Sequence, residues 1–228
     1  MSELQSRKIL AELEASLVAA RQPERAVKVE AYMKNRFHFF GMETQVRRNI
    51  QQPYLHALLK ITDREKRWDI IRELYAKDER EFHYLAIDWL NKWPKKYFTS
   101  ADIDEFRWLI TQHSWWDSVD TIASNALGKW ARLFPEQTKH WVAEWMDSDS
   151  FWLQRSCLIF QLKYRKETDA QLLEALIQTL KPNKEFFIQK AIGWSLRELS
   201  KYKPEAVRAI LEHQELKGLA LREASKYL

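Results

Sequence analysis

One cysteine, Cys157, stands in 228 residues. A lone thiol excludes an internal disulfide and leaves no Cys-x-x-Cys metal pair, a usage that fits a reducing cytoplasm. Glycine (4) and proline (6) are scarce, which argues against a turn-rich β protein. No stretch sustains the alternation of period two that a half-buried strand needs, so no sheet is expected. No run of 18 apolar residues exists, so no membrane-spanning helix and no membrane partner are expected. The opening residues, Met1 to Lys8, mix charges and lead into no apolar signal core. The six histidines, at 38, 56, 83, 113, 140 and 213, form no HxxxH or HExxH pair, and no metal site or cofactor is expected. Gly41, Gly128, Gly193 and Gly218 are isolated, so there is no glycine-rich phosphate loop, and no GxSxG elbow exists.

What is abundant is apolar surface and positive charge. Hydrophobic residues make up 46% of the chain, enough for a packed core, and the formal net charge is +5, with a pI near 9.1. Such a balance leans mildly toward an anionic partner such as nucleic acid.

Ile9, Leu10, Leu13, Leu17 and Val18 recur at helical spacing and predict a helix over 3–20. Pro23 suits the first turn of the next, expected over 24–37 with Gly41 closing the region. Thr44 starts a third, which Pro53 is expected to interrupt. From about residue 64 the chain repeats. Phe82-His83-Tyr84-Leu85-Ala86, Trp116-Asp117-Ser118-Val119-Asp120, Trp152-Leu153-Gln154-Arg155-Ser156 and Phe187-Ile188-Gln189-Lys190-Ala191 begin 34, 36 and 35 residues apart. A weaker copy, Ala220-Leu221-Arg222-Glu223-Ala224, follows 33 residues on. Each copy is preceded by another amphipathic segment, as in Phe106, Leu109, Ile110 and in Leu173, Leu176, Ile177, Leu180. Two helices per repeat describe stacked helical hairpins, none of which can bury its apolar face alone. The Trp, Leu-Gly and Tyr offsets of tetratricopeptide repeats are missing, so HEAT-like units are favoured. The expectation is an all-α, right-handed solenoid with a basic concave face. It forms a single domain over 1–228, with irregular helices over 1–60 and repeats of 33–36 residues over 64–228.

Aligned by column, the last residues of the five copies are Ala86, Asp120, Ser156, Ala191 and Ala224. Four are small, as a position facing a neighbouring helix should be, and a carboxylate there needs a partner or a purpose. The column before it holds Leu85, Val119, Arg155, Lys190 and Glu223. Arg155 and Lys190, with Lys163, Arg165, Arg197 and Lys201 further along the same segments, make a stripe of cations that suits a phosphate backbone. Solvated helix ends would give the same pattern.

The stretch His113-Ser114-Trp115-Trp116-Asp117-Ser118-Val119-Asp120 concentrates what chemistry the chain has. Ser114 is the expected N-cap, with the helix continuing through Thr121 to Ser124. Trp116 and Asp120, four apart, share a helix face. An aromatic face beside a carboxylate suits a cationic group; a core tryptophan and a solvated aspartate are the plain alternative. Trp194, three residues past the small column, reads as core unless it faces Trp116.

These residues carry a resemblance. Tyr32-Met33-Lys34-Asn35, Gly41 with Thr44 and Arg47-Arg48, the SWWDSVD block at 114–120, Trp152 to Arg155, Phe160 to Tyr164, KEFFIQKAIGW at 184–194 and Leu196-Arg197-Glu198 follow in order from about 24 to 200. In them the chain resembles the AlkD-type bacterial DNA glycosylases, HEAT-like repeat enzymes that excise alkylated purines. The resemblance implies that Asp120 is the catalytic aspartate and that Trp116 and Trp194 contact the lesion nucleotide. It also implies that Tyr32 lines the same cleft, that Arg155 lies near the active-site phosphate, and that Lys163 and Arg197 contact DNA; the cation stripe adds Lys190. The implied partner is duplex DNA bearing cationic N3- or N7-alkylpurines, bound by a monomer without flipping the base. The implied reaction is monofunctional hydrolysis. A non-catalytic HEAT-like scaffold for DNA or protein is the competing reading.

Overall fold

In the computed structural model, which describes residues 1–228, every regular element is a helix. The sole β-type pairing is one isolated bridge, His38 to Glu79. No helix is long and apolar enough to cross a membrane. The chain packs as two compact units, 1–97 and 98–228. Their boundary falls inside the repeating region rather than at its start near residue 64.

The first unit holds α1 (Glu3–Ala19), α2 (Pro23–Tyr32), α3 (Thr44–Leu58), α4 (Arg64–Tyr75) and α5 (Arg80–Lys92). Helix α1 packs on α3, α3 on α5, and α4 on α5. The expected second helix is cut short at Tyr32 because Lys34 and Asn35 turn left-handed, with φ of 60° and 53°. The Asn35 amide then donates back to the Glu30 carbonyl at 2.8 Å, which closes the helix end. Pro53 does not interrupt α3; it lies inside the helix, where the lost backbone donor is tolerated because the helix is anchored by buried Leu55 and Leu58. Gly41 sits at φ +85°, where a side chain would strike the backbone of Ala26 and Gln22. Its amide and that of Phe40 donate to the buried carboxylate of Glu81 at 2.9 and 3.1 Å.

The second unit holds α6 (Ile103–Thr111), α7 (Trp116–Thr121), a π-helical stretch (Ile122–Leu127) that runs on into α8 (Gly128–Leu133), and α9 (Pro135–Met146). It continues with α10 (Phe151–Ile159), α11 (Ala170–Leu180), α12 (Phe186–Ser200), α13 (Pro204–Gln214) and α14 (Gly218–Ala224). The second helices of successive hairpins stack directly: α10 on α7 and the π stretch, α12 on α10, and α14 on α12. The first helices form the other layer, with α9 against α10, α11 against α13, and α13 against α12. This is the two-helix repeat expected from the 33–36 residue period. The side chains that mark it, Phe106, Leu109, Ile110, Trp141, Val142, Trp145, Leu173, Ile177, Val207 and Ile210, are all buried. Local chemistry sets the helix starts. Asp169 accepts from the Leu172 amide at 2.9 Å, and proline opens α9 and α13, where its missing N–H costs nothing. A cap of this kind contributes about 1 kcal/mol.

Candidate active site

The expected helix start at Ser114 is displaced. His113 turns left-handed (φ 46°) after α6, and the Ser114 hydroxyl donates backward to the Ile110 carbonyl at 2.7 Å, finishing α6 instead of capping α7. Trp115, in an extended conformation, takes the N-cap position, and Trp116 opens α7. Trp116 and Asp120 therefore lie one helical turn apart, as their spacing requires.

Beyond Thr121 the helix widens into the π turns, a feature the sequence did not announce. The Ser124 hydroxyl donates to the Asp120 carbonyl at 2.7 Å, and the Asn125 amide to the Thr121 carbonyl at 2.7 Å. Both side chains satisfy backbone oxygens that the widened register would otherwise leave short of donors. Short π insertions are uncommon and concentrate at functional sites.

The repeat column around Asp120 behaves as its residue sizes dictate. Ala86, Ser156, Ala191 and Ala224 are all buried at helix contacts. Asp120 occupies the equivalent place but its side chain keeps 14% of its surface. Arg155, one repeat further along on α10, meets it edge to edge. Nε donates to Oδ1 at 2.7 Å and Nη2 to Oδ2 at 2.8 Å. The remaining arm, Nη1, donates to the Phe187 carbonyl in the first turn of α12. The guanidinium is 5% exposed and joins the second helices of three consecutive hairpins. Arg155, which the resemblance sets near the active-site phosphate, directs its donors at Asp120 and at backbone.

Burial pushes the Asp120 carboxyl above the ordinary aspartate range. The Arg155 hydrogen bonds and charge pull the other way, and Asp117 adds a smaller upward push. A carboxylate has about four acceptor sites, and Arg155 fills two. The part-exposed side retains acceptor capacity for a ligand.

An aromatic patch surrounds the N-terminal ends of the three stacked helices. The Trp115 ring lies 5.3 Å from Phe187 and 6.0 Å from Trp152, and Trp152 lies 4.8 Å from Phe187. Trp116 on α7 and Trp194 on α12 are each partly exposed, so Trp194 is not the fully buried residue that its place past the small column predicts. Tyr32 is exposed at the end of α2 and belongs to the other compact unit.

The predicted cations divide into three kinds. Lys163 is exposed and donates to the Asn125 side chain at the π turn. Lys190 and Arg197, two turns apart on α12, converge on one carboxylate, Glu223 of α14, at 3.1 and 2.5 Å. Arg155 is the buried member described above. Glu223 was visible in the cation column, one repeat beyond Lys190, and its opposite sign was the signal for this pairing. Ser124 and Asn125 carried no comparable signal, since nothing in their identity marks a π turn.

The profile of the family described as "DNA alkylation repair enzyme" matches residues 13–228. Among solved structures, the chain is similar to one titled "Predicted DNA alkylation repair enzyme from Enterococcus faecalis", with 36% identity and a TM-score of 0.85. The match covers 91% of this chain and 96% of that one. No curated protein matches.

Proposed function

Because the chain belongs to the DNA alkylation repair enzyme family, we propose that it is a monofunctional DNA glycosylase that hydrolyses the N-glycosidic bond of cationic N3- and N7-alkylpurines in duplex DNA. The observation that carries this reading is Asp120, a carboxylate in a column otherwise reserved for small buried residues. It is held in a fixed plane by Arg155 and still reachable from solvent.

The chemistry follows from the substrate. Alkylation at N3 or N7 makes the purine a cation, so the glycosidic electron pair leaves with the base and neutralises it. No general acid is needed. Positive charge then develops on the deoxyribose, and a fixed anion beside the sugar stabilises it more in the transition state than in the ground state. Water adds to the sugar carbon and loses its proton, with Asp120 placed to accept a hydrogen bond from it. Arg155 keeps the carboxylate from rotating and favours its ionised form; the partial neutralisation this brings is the cost of preorganisation. Trp116 and Trp194 supply ring faces that attract the cation. A carboxylate that must meet only the sugar does not require the base to be drawn out of the stack.

One observation favours the competing reading. The Asp120–Arg155 pair ties consecutive repeats together, and a purely structural aspartate would look the same. Release of 7-methylguanine from methylated duplex DNA separates the two: the glycosylase reading expects free base in excess of spontaneous depurination, and a scaffold gives none.

A further inference from the structure

The C-terminal helix supplies a residue that neither the family assignment nor the catalytic reading uses. Glu223 is 7% exposed and lies under three cations. Arg197 Nη1 meets Oε2 at 2.5 Å, while Lys190 Nζ and Lys226 Nζ meet Oε1 at 3.1 and 2.9 Å. Lys190, Gly193 and Arg197 stand at i, i+3 and i+7, along one face of α12. Glu223 lands between the two cations because Gly193 has no side chain; a Cβ there would collide with that of Glu223 and come within 2.8 Å of the Ala220 carbonyl. The place of Gly193 beside Trp194 thus puts the cluster next to a candidate lesion contact.

We infer that Lys190, Arg197 and Lys226 form a preassembled clasp for one phosphodiester group of duplex DNA, with Glu223 as the positioning residue beneath it. This rests on the proposed DNA-directed function. Three cations about one carboxylate leave a net charge of +2. Their side chains keep 40%, 24% and 48% of their surface, against 7% for the carboxylate, so an approaching anion meets the cations and not Glu223. Each lysine ammonium has three donors and the guanidinium five; the contacts to Glu223 leave most of them available. Without the carboxylate, three like charges on flexible stems would repel one another and spread into solvent. A chain that needed only net positive charge would gain nothing from a buried acid at this place.

The experiment is a salt titration of binding to an undamaged duplex, with wild type, Glu223→Gln and Lys226→Gln, each checked for folding by circular dichroism. Glu223→Gln makes the protein more positive by one charge, so simple attraction would tighten binding and steepen the salt slope. The clasp requires the opposite: weaker binding, with the slope of log K against log salt falling by about 0.9 for each cation released from the site. Lys226→Gln, at an exposed position on the last turn, should lose about 0.9 from the slope. Tighter or unchanged binding in Glu223→Gln overturns the inference. If that variant does not fold, Lys226→Gln decides alone, and an unchanged slope overturns it. Wild-type protein that binds no duplex overturns it too. Because no damaged base enters this titration, a failure here is distinct from a failure to release 7-methylguanine.

Discussion

Replacing Arg155 by glutamine tests whether the arginine sets the ionisation of Asp120. Burial raises the Asp120 carboxyl and Arg155 is the main force holding it down. An arginine beside an aspartate favours the ionised carboxylate, so its removal should push the Asp120 carboxyl higher still. Glutamine keeps at most one donor toward the carboxylate. Two consequences separate this from a packing defect. The acid limb of the excision rate, which reports ionised Asp120, should move to higher pH, with activity recovering in alkali. Stability should fall in a pH-dependent way. A carboxyl whose folded pKa is raised contributes most when protonated, and loses that contribution as pH climbs from the unfolded to the folded pKa. The deficit of Arg155→Gln against wild type should therefore be smallest in acid, where the carboxyl is protonated in both proteins, and grow as pH rises, by about 1.36 kcal/mol for each pH unit by which the acid limb moves. Denaturant melts across a series of pH values, with single-turnover pH profiles of base release, measure both. An unmoved acid limb together with a deficit that does not change with pH would refute the reasoning and leave Arg155 a structural strut.

Other outcomes follow from the same geometry. Glu223 is held down to about 2 by hydrogen bonds from Lys226 and Lys190, so its ion pairs contribute above the ordinary glutamate range and are lost as pH falls toward 2. The stability difference between wild type and Glu223→Gln, from melts at pH 7 and pH 3, should shrink in acid. Gly193→Ala forces α14 away from α12 and should destabilise by about 1–3 kcal/mol despite the better helix propensity of alanine, which a denaturant melt would show. Lys163→Gln, at an exposed cation, should reduce the salt slope of duplex binding by about 0.9 if it touches a phosphate.

The repeat was legible because a hairpin that cannot bury its own face repeats its apolar spacing, and the five copies fall on α5, α7, α10, α12 and α14. Asp120 was legible as the wrong size and charge for its column. Its partner was less so, because Arg155 is 35 residues away and column alignment reads like positions, whereas this contact runs from one column to its neighbour in the next repeat. Reading both charge signs across one period would have linked Asp120 with Arg155 and Lys190 with Glu223. The helix entry at 113–116 escaped sequence reasoning for a different reason. Ser114 has the right identity for an N-cap, but the left-handed turn at His113 aims its hydroxyl at the preceding helix. The π turns after Thr121 lie against α10, and no local sequence pattern marks them.

In the proposed reaction the Asp120 charge stabilises the sugar cation. The direct measurement is single-turnover release of 7-methylguanine by wild type and Asp120→Asn, expressed per folded protein, with Asp120→Asn/Arg155→Gln as a companion. Asparagine keeps the shape but leaves the Arg155 charge without its counterion, so some loss of stability is expected and the double variant should recover part of it. Loss of one preorganised electrostatic group costs about 10²–10³ in rate, less here if the cationic purine departs readily unaided. Per-molecule excision should fall in both variants while duplex binding holds. Excision by folded Asp120→Asn at the wild-type rate would contradict it.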